Sequence, residues 1–444
     1  MKAILILEAN EDRIAAFRAA VRELGDGYEL KLWPDAPSMM AECEAYFANA
    51  CLISLDHDLN PAPGATQDPG TGLEVAQFLG DFVPVCPVVI HSSNTDRVWS
   101  MHNELRFGGW IVDRVGPLGD VWIGRSWLPL ARRLLTEHPN TWKQTIPSDH
   151  SERVERMTLS LDGLSIGDAL GEMFCHRPDT ALRRLPAGDL PAGPWFHTDD
   201  TEMAISLVAV LKSHGQVDRD ALSKRFARRF ERDPERGYGK MTRIQLRENL
   251  AGQPWQVTAA RAFGGQGSMG NGSAMRVAPL GAYFADDLER VVAEARASSC
   301  VTHVHPEGLA GAVAVALAAA MAWRLKEATE HTEKLFTEVL RLTPESQVRR
   351  KILLASQTPA DIEIKLVAKA LGCGELVTAP DTVPFCVWVA AHHPDDYGVA
   401  LAKTISVGGD CDTNAAIVGG IVALSGGRRS IPEDWLKTRE PIKF

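Results

Sequence analysis

Short apolar runs alternate with amphipathic stretches over the first third of the chain. Ala3–Leu7, Tyr28–Trp33, Cys51–Leu55, Val85–Ile90 and Trp110–Val112 are the candidate strands. Between and after them, Glu11–Leu24, Pro37–Ala48, Gly72–Phe82, Thr95–Phe107 and Arg125–Leu135 carry helical patterns. Strand and helix taking turns five times predicts a doubly wound α/β domain, a parallel sheet covered on both faces. In open sheets of this kind a ligand site lies beyond the carboxyl ends of the strands. Glu8, Asp56-His57-Asp58 and His91-Ser92-Ser93 fall at such ends.

A polar segment, Glu137 to Arg153, follows with no clear period and with Pro139, Asn140, Pro147 and Ser148 in it. It reads as a linker over 139–153, dividing a domain at 1–138 from one at 154–444. Beyond it the strand signal fades. Val154–Gly171, Thr201–Ser213, Asp218–Arg232, Leu288–Ser299, Glu307–Glu327, Thr332–Leu342 and Thr413–Ser425 read as helices, several rich in Ala. The second domain is expected to be all-α with long loops, and no fixed-period repeat is visible.

Composition narrows the class. Of 444 residues, 45% are apolar and 23% charged, which excludes a disordered or collagen-like chain. The 47 Lys+Arg against 57 Asp+Glu leave a net charge of −10, so strong non-specific nucleic-acid binding is not expected. The 8 Cys form no C-x-x-C pair and no zinc spacing, so they read as buried thiols in a reducing compartment. The run Ala3–Leu7 is cut by Glu8, too short for a signal peptide. Leu309–Trp323 falls short of the ~20 residues that span a bilayer. A cytoplasmic protein with no membrane partner is expected.

Two acidic clusters carry the strongest chemical signal. Thr198-Asp199-Asp200-Thr201-Glu202 leads into Met203-Ala204-Ile205, and Asp410-Cys411-Asp412-Thr413 leads into an apolar helix from Ala415. Each alone reads as helix capping, since Thr and Asp are favoured N-caps and carboxylates suit the positive helix end. Together they supply more than capping needs, with no Lys or Arg adjacent. Several carboxylates crowded into one volume repel unless a cation joins them. Their oxygens are hard ligands that suit Mg2+ or Mn2+, and a pair of such ions orients hydroxyls and activates water. A cap position can also serve as a ligand.

Between the clusters lies a glycine-dense loop, Gly264 to Ser273, followed by Ala274-Met275-Arg276. Glycines let backbone N–H groups approach phosphate oxygens. No Gly-Lys-Ser/Thr ending is present, so it is not an NTPase P-loop. A flexible surface loop is the competing reading. Arg276 points toward a diphosphate contact, with His303 and His305 as further cleft candidates.

These motifs resemble the ADP-ribosylglycohydrolase family over about Arg156 to Gly427. The matching elements are Gly167-Asp168-Ala169-Leu170-Gly171, Thr198-Asp199-Asp200-Thr201, Gly270-Asn271-Gly272 through Met275-Arg276, and Gly408-Gly409-Asp410-Cys411-Asp412-Thr413. The resemblance implies an all-α fold with two Mg2+ or Mn2+ ions on Thr198, Asp199, Asp200, Asp410, Asp412 and Thr413. It implies an ADP-ribose site involving Asp168, Ser268, Met269, Gly270, Asn271, Gly272, Arg276 and His303. The substrate would be ADP-ribose attached to a protein, a nucleic acid or a small molecule, and Asp200 or Asp410 would act as base. Many relatives carry a glutamate where Cys175 aligns here, and Glu172 lies nearly one turn away as its substitute.

The first domain resembles a two-component receiver and, more closely, the cyclic-phosphate-processing receiver branch. Asp56 takes the phosphoacceptor place, and Asp56-His57-Asp58-Leu59 and His91-Ser92 fit that branch. The resemblance implies a site of Glu8, Asp56, Asp58 and His91 acting on a cyclic phosphate. Ala9 stands where a second metal-binding acid is common, and Arg114 is the nearest basic residue after the fifth strand. The alternative from another class is a catalytically weak ADP-ribose-binding regulator whose receiver-like domain docks.

Overall fold

The computed structural model describes residues 1–60, 68–80, 82, 84–107, 110–138, 147, 149–326, 328 and 330–444. The chain divides into two compact units, Met1–Ile146 and Pro147–Phe444. Most of the segment read as linker, residues 139–146 and 148, lies outside the described residues, as does Glu327, the expected end of one helix.

In the first unit, β1 (Lys2–Leu7), β2 (Tyr28–Trp33), β3 (Ala50–Leu55), β4 (Val88–Ile90) and β5 (Val112–Arg114) pair in parallel in the order β2-β1-β3-β4-β5. That is the flavodoxin-like doubly wound order. β1, β3 and β4 are buried along almost their whole length, which is why they read as unbroken apolar runs. Two apolar clusters flank the sheet. One holds Leu5, Leu7, Ile53 and Ile90, the other Ile4, Ile6, Leu52 and Val89, as side chains of alternating direction require.

Two strands depart from the sequence expectation. β4 starts at Val88 rather than Val85, because Pro87 has no N–H; its carbonyl still accepts from Ile53. β5 is shifted to Val112–Arg114. Trp110 is buried instead, with its indole N–H on the Leu79 carbonyl at 2.9 Å. The helix expected at Pro37–Ala48 is an α-helix Ala36–Glu42 continued by a 3-10 turn, Cys43–Tyr46.

Among its described residues the second unit holds helices and isolated bridges but no strand. Its first long helix, His150–Phe174, begins inside the segment read as linker. Tertiary anchors extend it, since the His150 ring bonds the Tyr283 hydroxyl at 2.6 Å and the Lys212 carbonyl at 3.0 Å. Gly163, Gly167 and Gly171 form a bare ridge on this helix. A Cβ there would lie 2.4, 2.0 and 2.4 Å from the carbonyl oxygens of Gly419, Ala415 and Cys411. The ridge therefore lets the helix Cys411–Gly426 cross at backbone contact, with Asp168 beside the crossing.

The helix Pro306–Arg324 is long and apolar enough to cross a membrane by length and composition, beyond the shorter run read from sequence. In this unit 83% of its window is buried. The helix Ala379–His392 was not anticipated, because Pro380 and Pro384 signal a break; Pro384 sits inside it all the same.

Candidate active site

The acidic helix start at Thr198–Asp200 is set up by the first long helix. Both oxygens of Asp168, fully buried, accept from the start of the helix Asp199–His214. The donors are the Thr198 N–H at 3.0 Å, the Thr198 hydroxyl at 2.8 Å, the Thr201 N–H at 3.1 Å and the Thr201 hydroxyl at 2.5 Å. Orphan donors of a helix N-terminus are thus satisfied by a carboxylate from another helix. Burial pushes Asp168 up to about 6, against the pull of His197 and the two Thr hydroxyls. Asp168 is therefore a brace behind the site rather than one of the residues lining the cavity.

With this brace in place, Asp199 and Asp200 face a cavity of about 700 Å³ that Asp410, Asp412 and Thr413 also line. The regions near 199 and near 411, far apart in sequence, meet here. The Asp199 N–H donates to the Arg236 carbonyl at 2.6 Å, which fixes the helix start against the loop Gly237–Lys240. On the other side, Gly408 and Gly409 are left-handed, with φ 77° and 74°. A Cβ on Gly409 would strike the Cys373 carbonyl oxygen at 2.0 Å. That turn aims Asp410 at Asn271, whose amide donates to its carboxylate at 2.6 Å.

Burial is the first cause that pushes Asp199 and Asp200 well above the ordinary carboxylate range, and the charges of neighbouring aspartates add to it. Asp410 is pushed up to about 7 by burial and then by Asp412. The Asp200 Oδ1 atom is buried with no hydrogen-bond partner. The donor set, carboxylate and hydroxyl oxygens only, fits a hard divalent cation. Among the described residues no group of three His, Cys, Asp or Glu side chains is already drawn together as a cage. The chemistry of the donors and the orphaned oxygen favour a cation that draws them in. Thr198, whose hydroxyl proton goes to Asp168, accepts the Asp200 N–H at 3.4 Å and does not line the cavity.

Ser268, Met269, Gly270, Asn271 and Gly272 line the same cavity, with Asn271 in contact with Asp410. His303 and His305 line it as well. His303 packs so closely that a Cβ on Gly270 would stand 3.3 Å from its Nε2. Burial drives its pKa down to about 3, and Arg276 adds to this.

Arg276 itself corrects the sequence reading. It is fully buried and does not line the cavity. Its guanidinium donates to the carbonyls of Gly272 and Ser298, both at 3.1 Å, and to the Thr302 hydroxyl at 2.9 Å, with Phe226 packed 4.5 Å from its centre. It holds the glycine loop from behind. Thr302 passes this contact on to His303 Nδ1 at 2.7 Å.

Neither Glu172 nor Cys175 lines the cavity; both are exposed at the end of their helix. Glu172 is raised first by burial and then by the charge of Asp412, which places it near the acidic wall. Burial and Asp412 also push the Cys175 thiol up, the wrong direction for an activated thiolate.

Sequence reasoning missed the outer wall. Lys240, Ile244, Phe263, Leu376 and Val377 all line the cavity. Phe263 and Val377, 55% and 57% exposed, both stand at φ 52°. Left-handed backbone is unfavourable for a bulky or β-branched residue and gathers at functional sites. The only signal in the chain was Phe263 immediately before the glycines.

In the first unit Glu8, Asp56 and His91 come together at the carboxyl ends of β1, β3 and β4. His91 Nε2 lies 3.5 Å from Glu8 Oε2, and Arg13 lies 3.1 Å from Asp56 and 3.6 Å from Glu8. Asp58 stands apart, its side chain 58% exposed, near His57 Nε2 at 3.7 Å.

Comparison with known proteins matches residues 149–442 to the ADP-ribosylglycohydrolase family and residues 22–107 to the cyclic-phosphate processing receiver domain. ADP-ribosylhydrolase ARH3 of Homo sapiens is 30% identical over 327 residues, covering 65% of this chain and 90% of that protein. ADP-ribosylarginine hydrolase Tri1 of Serratia proteamaculans is 25% identical over 304 residues, covering 66% and 78%. A solved structure, an ADP-ribosylglycohydrolase-related protein complex, is 24% identical with a TM-score of 0.49, covering 65% and 94%. The chain therefore belongs to the ADP-ribosylglycohydrolase family of hydrolases, with a cyclic-phosphate processing receiver domain at its N-terminus.

Proposed function

We propose that the second unit releases ADP-ribose from an ADP-ribosylated substrate, using two divalent ions, Mg2+ or Mn2+. The observation that carries this reading is the meeting of Asp199 and Asp200 with Asp410 and Asp412 in one cavity that a glycine loop also lines. Thr198, Asp199, Asp200, Asp410, Asp412 and Thr413 would hold the ions. Bound there, such ions orient a sugar hydroxyl pair and make water a better nucleophile.

The chain's own residues divide the remaining work. The loop from Ser268 to Gly272 offers backbone without bulk to a diphosphate, and Lys240 brings positive charge to the lining. His303 stays neutral; with Thr302 Oγ accepting from Arg276, the Thr302 proton goes to Nδ1 and leaves Nε2–H to donate into the cavity. The exposed ring of Phe263, with Val377 nearby on the lining, suits a flat base. Asp200 and Asp410 are assigned to taking the proton of the attacking water, and Glu172, which lies off the cavity lining, would have to turn inward to serve as the acid. The attached group is a protein, a nucleic acid or a small molecule.

The test is ADP-ribose release with and without Mg2+. Unchanged rates after Asp199→Ala or Asp410→Ala would reject the assignment. The position of Glu172 and Cys175 off the cavity favours a second reading, an ADP-ribose-binding regulator with little turnover. Calorimetry with ADP-ribose beside the rate assay separates the two, since tight binding without release selects the regulator. For the first unit we propose processing of a cyclic phosphate at Glu8, Asp56 and His91 with Asp58 at the edge, supported by the matched family. Turnover of such a substrate that survives both Asp56→Ala and His91→Ala would remove that assignment.

A further inference from the structure

The cleft of the first unit contains a cation of its own. We propose that the Arg13 guanidinium takes the place of a divalent metal between Glu8 and Asp56. The N-terminal site is then a metal-free one, and deleting the guanidinium converts it into a divalent-cation site. This inference does not depend on the glycohydrolase reading or on whether the unit turns over a phosphate.

The geometry is specific. Glu8 and Asp56 are 1% and 4% exposed and reach the cleft from the ends of two adjacent strands. Arg13 rises from the first turn of the helix Glu11–Leu24, where Asn10 caps the chain by accepting the Arg13 N–H at 3.0 Å. One of its nitrogens, Nη1, stands 3.1 Å from Asp56 Oδ2 and 3.6 Å from Glu8 Oε2. Its guanidinium centre lies 5.9 Å from the Trp122 ring, which stacks in turn on His91 at 5.6 Å. The cation is therefore held by two carboxylates and an aromatic face, which fixes its position better than a loose surface ion pair does.

The opposite wall is rigid too. The Trp127 indole donates to Ser54 Oγ at 2.9 Å, and Ser54 meets His91 Nδ1 at 2.8 Å. His91, fully buried, presents Nε2 toward Glu8 Oε2 at 3.5 Å, and neither atom has a hydrogen-bond partner. The guanidinium cancels half the charge of the two carboxylates and fills the space between them, so a dication entering there meets a like charge at contact distance. With the guanidinium gone, Glu8 Oε2 and Asp56 Oδ2 remain as two hard oxygens, and His91 Nε2 joins them when its proton sits on Nδ1, where Ser54 Oγ accepts it; such a set suits Mn2+.

Counting Mn2+ bound to the full-length protein by electron paramagnetic resonance tests this. Wild type and Asp56→Asn should bind the same number of ions, because Asp56 holds none. Arg13→Ala should gain one additional ion, Arg13→Lys should gain none, and Arg13→Ala combined with Asp56→Asn should lose the gain. A lower count in Asp56→Asn than in wild type overturns the proposal without any Arg13 variant. So does an Arg13→Ala protein that folds with a wild-type thermal transition and gains no ion.

Discussion

In the first unit two buried carboxylates, Glu8 and Asp56, share one guanidinium. In the second, Asp199, Asp200, Asp410 and Asp412 line a cavity whose described lining has no Arg and only Lys240 as a Lys. Both arrangements bring acids to the ends of secondary structure, and both leave a buried oxygen without a partner, Glu8 Oε2 and Asp200 Oδ1. What differs is the local charge balance. One site carries its counter-charge as a side chain, and the other, on the function proposed above, recruits it from solution. Acid count alone therefore says little about metal dependence; the nearest cation decides.

The largest effect expected from this contrast is on turnover. Asp410→Ala or Asp199→Ala should slow ADP-ribose release by about 100–1,000-fold, the several kcal/mol that metal-ion catalysis supplies. Asp56→Ala in the first unit should leave that rate unchanged. Next comes stability. Mg2+ at 100 times its dissociation constant should stabilise the second unit by about 2.7 kcal/mol in thermal melts, and Asp199→Ala should lose that response.

Asp168→Ala should lower the urea midpoint, because buried Thr198 and Thr201 donors lose their acceptor at ~1–3 kcal/mol for each group left unpaired. Its metal count should fall as well, since the same bonds aim the helix start.

A smaller effect concerns pH. His303 is depressed to about 3 from an ordinary value near 6.5, so between these values the unfolded chain binds more protons than the folded one. Its share of stability is complete above the ordinary value and is lost as pH falls toward about 3. Denaturant titrations should therefore show a shallower acid loss in His303→Asn than in wild type. The smallest effect belongs to Asp58, exposed and off the Glu8–Arg13–Asp56 cluster. Asp58→Ala should change stability by less than about 0.5 kcal/mol.

Legibility in the sequence followed how local the cause was. β1 and β3 were readable because buried parallel strands are continuous apolar runs, and the edge strand β2 because its apolar and polar residues alternate. The acidic helix starts were readable because four Asp and three Thr without a neighbouring Lys or Arg exceed what capping needs. β5 was displaced because Trp110 found a partner at Leu79, a contact the strand pattern does not encode. Arg276 was misassigned for the same reason. Its residue type suits a diphosphate, yet Gly272, Ser298 and Thr302 use its donors from behind the loop. Phe263 and Val377 were invisible as site residues because their left-handed backbone is imposed by the fold. The internal cation of the first unit was hidden too, since Arg13 lies outside every motif.

The most direct test of the central claim is the initial rate of ADP-ribose release from an ADP-ribosylated peptide as Mg2+ is titrated into chelator-stripped full-length protein. The rate should rise with Mg2+ and saturate in wild type, with both Asp199→Ala and Asp410→Ala nearly flat. Release that persists in chelator, or that either substitution leaves intact, would contradict it.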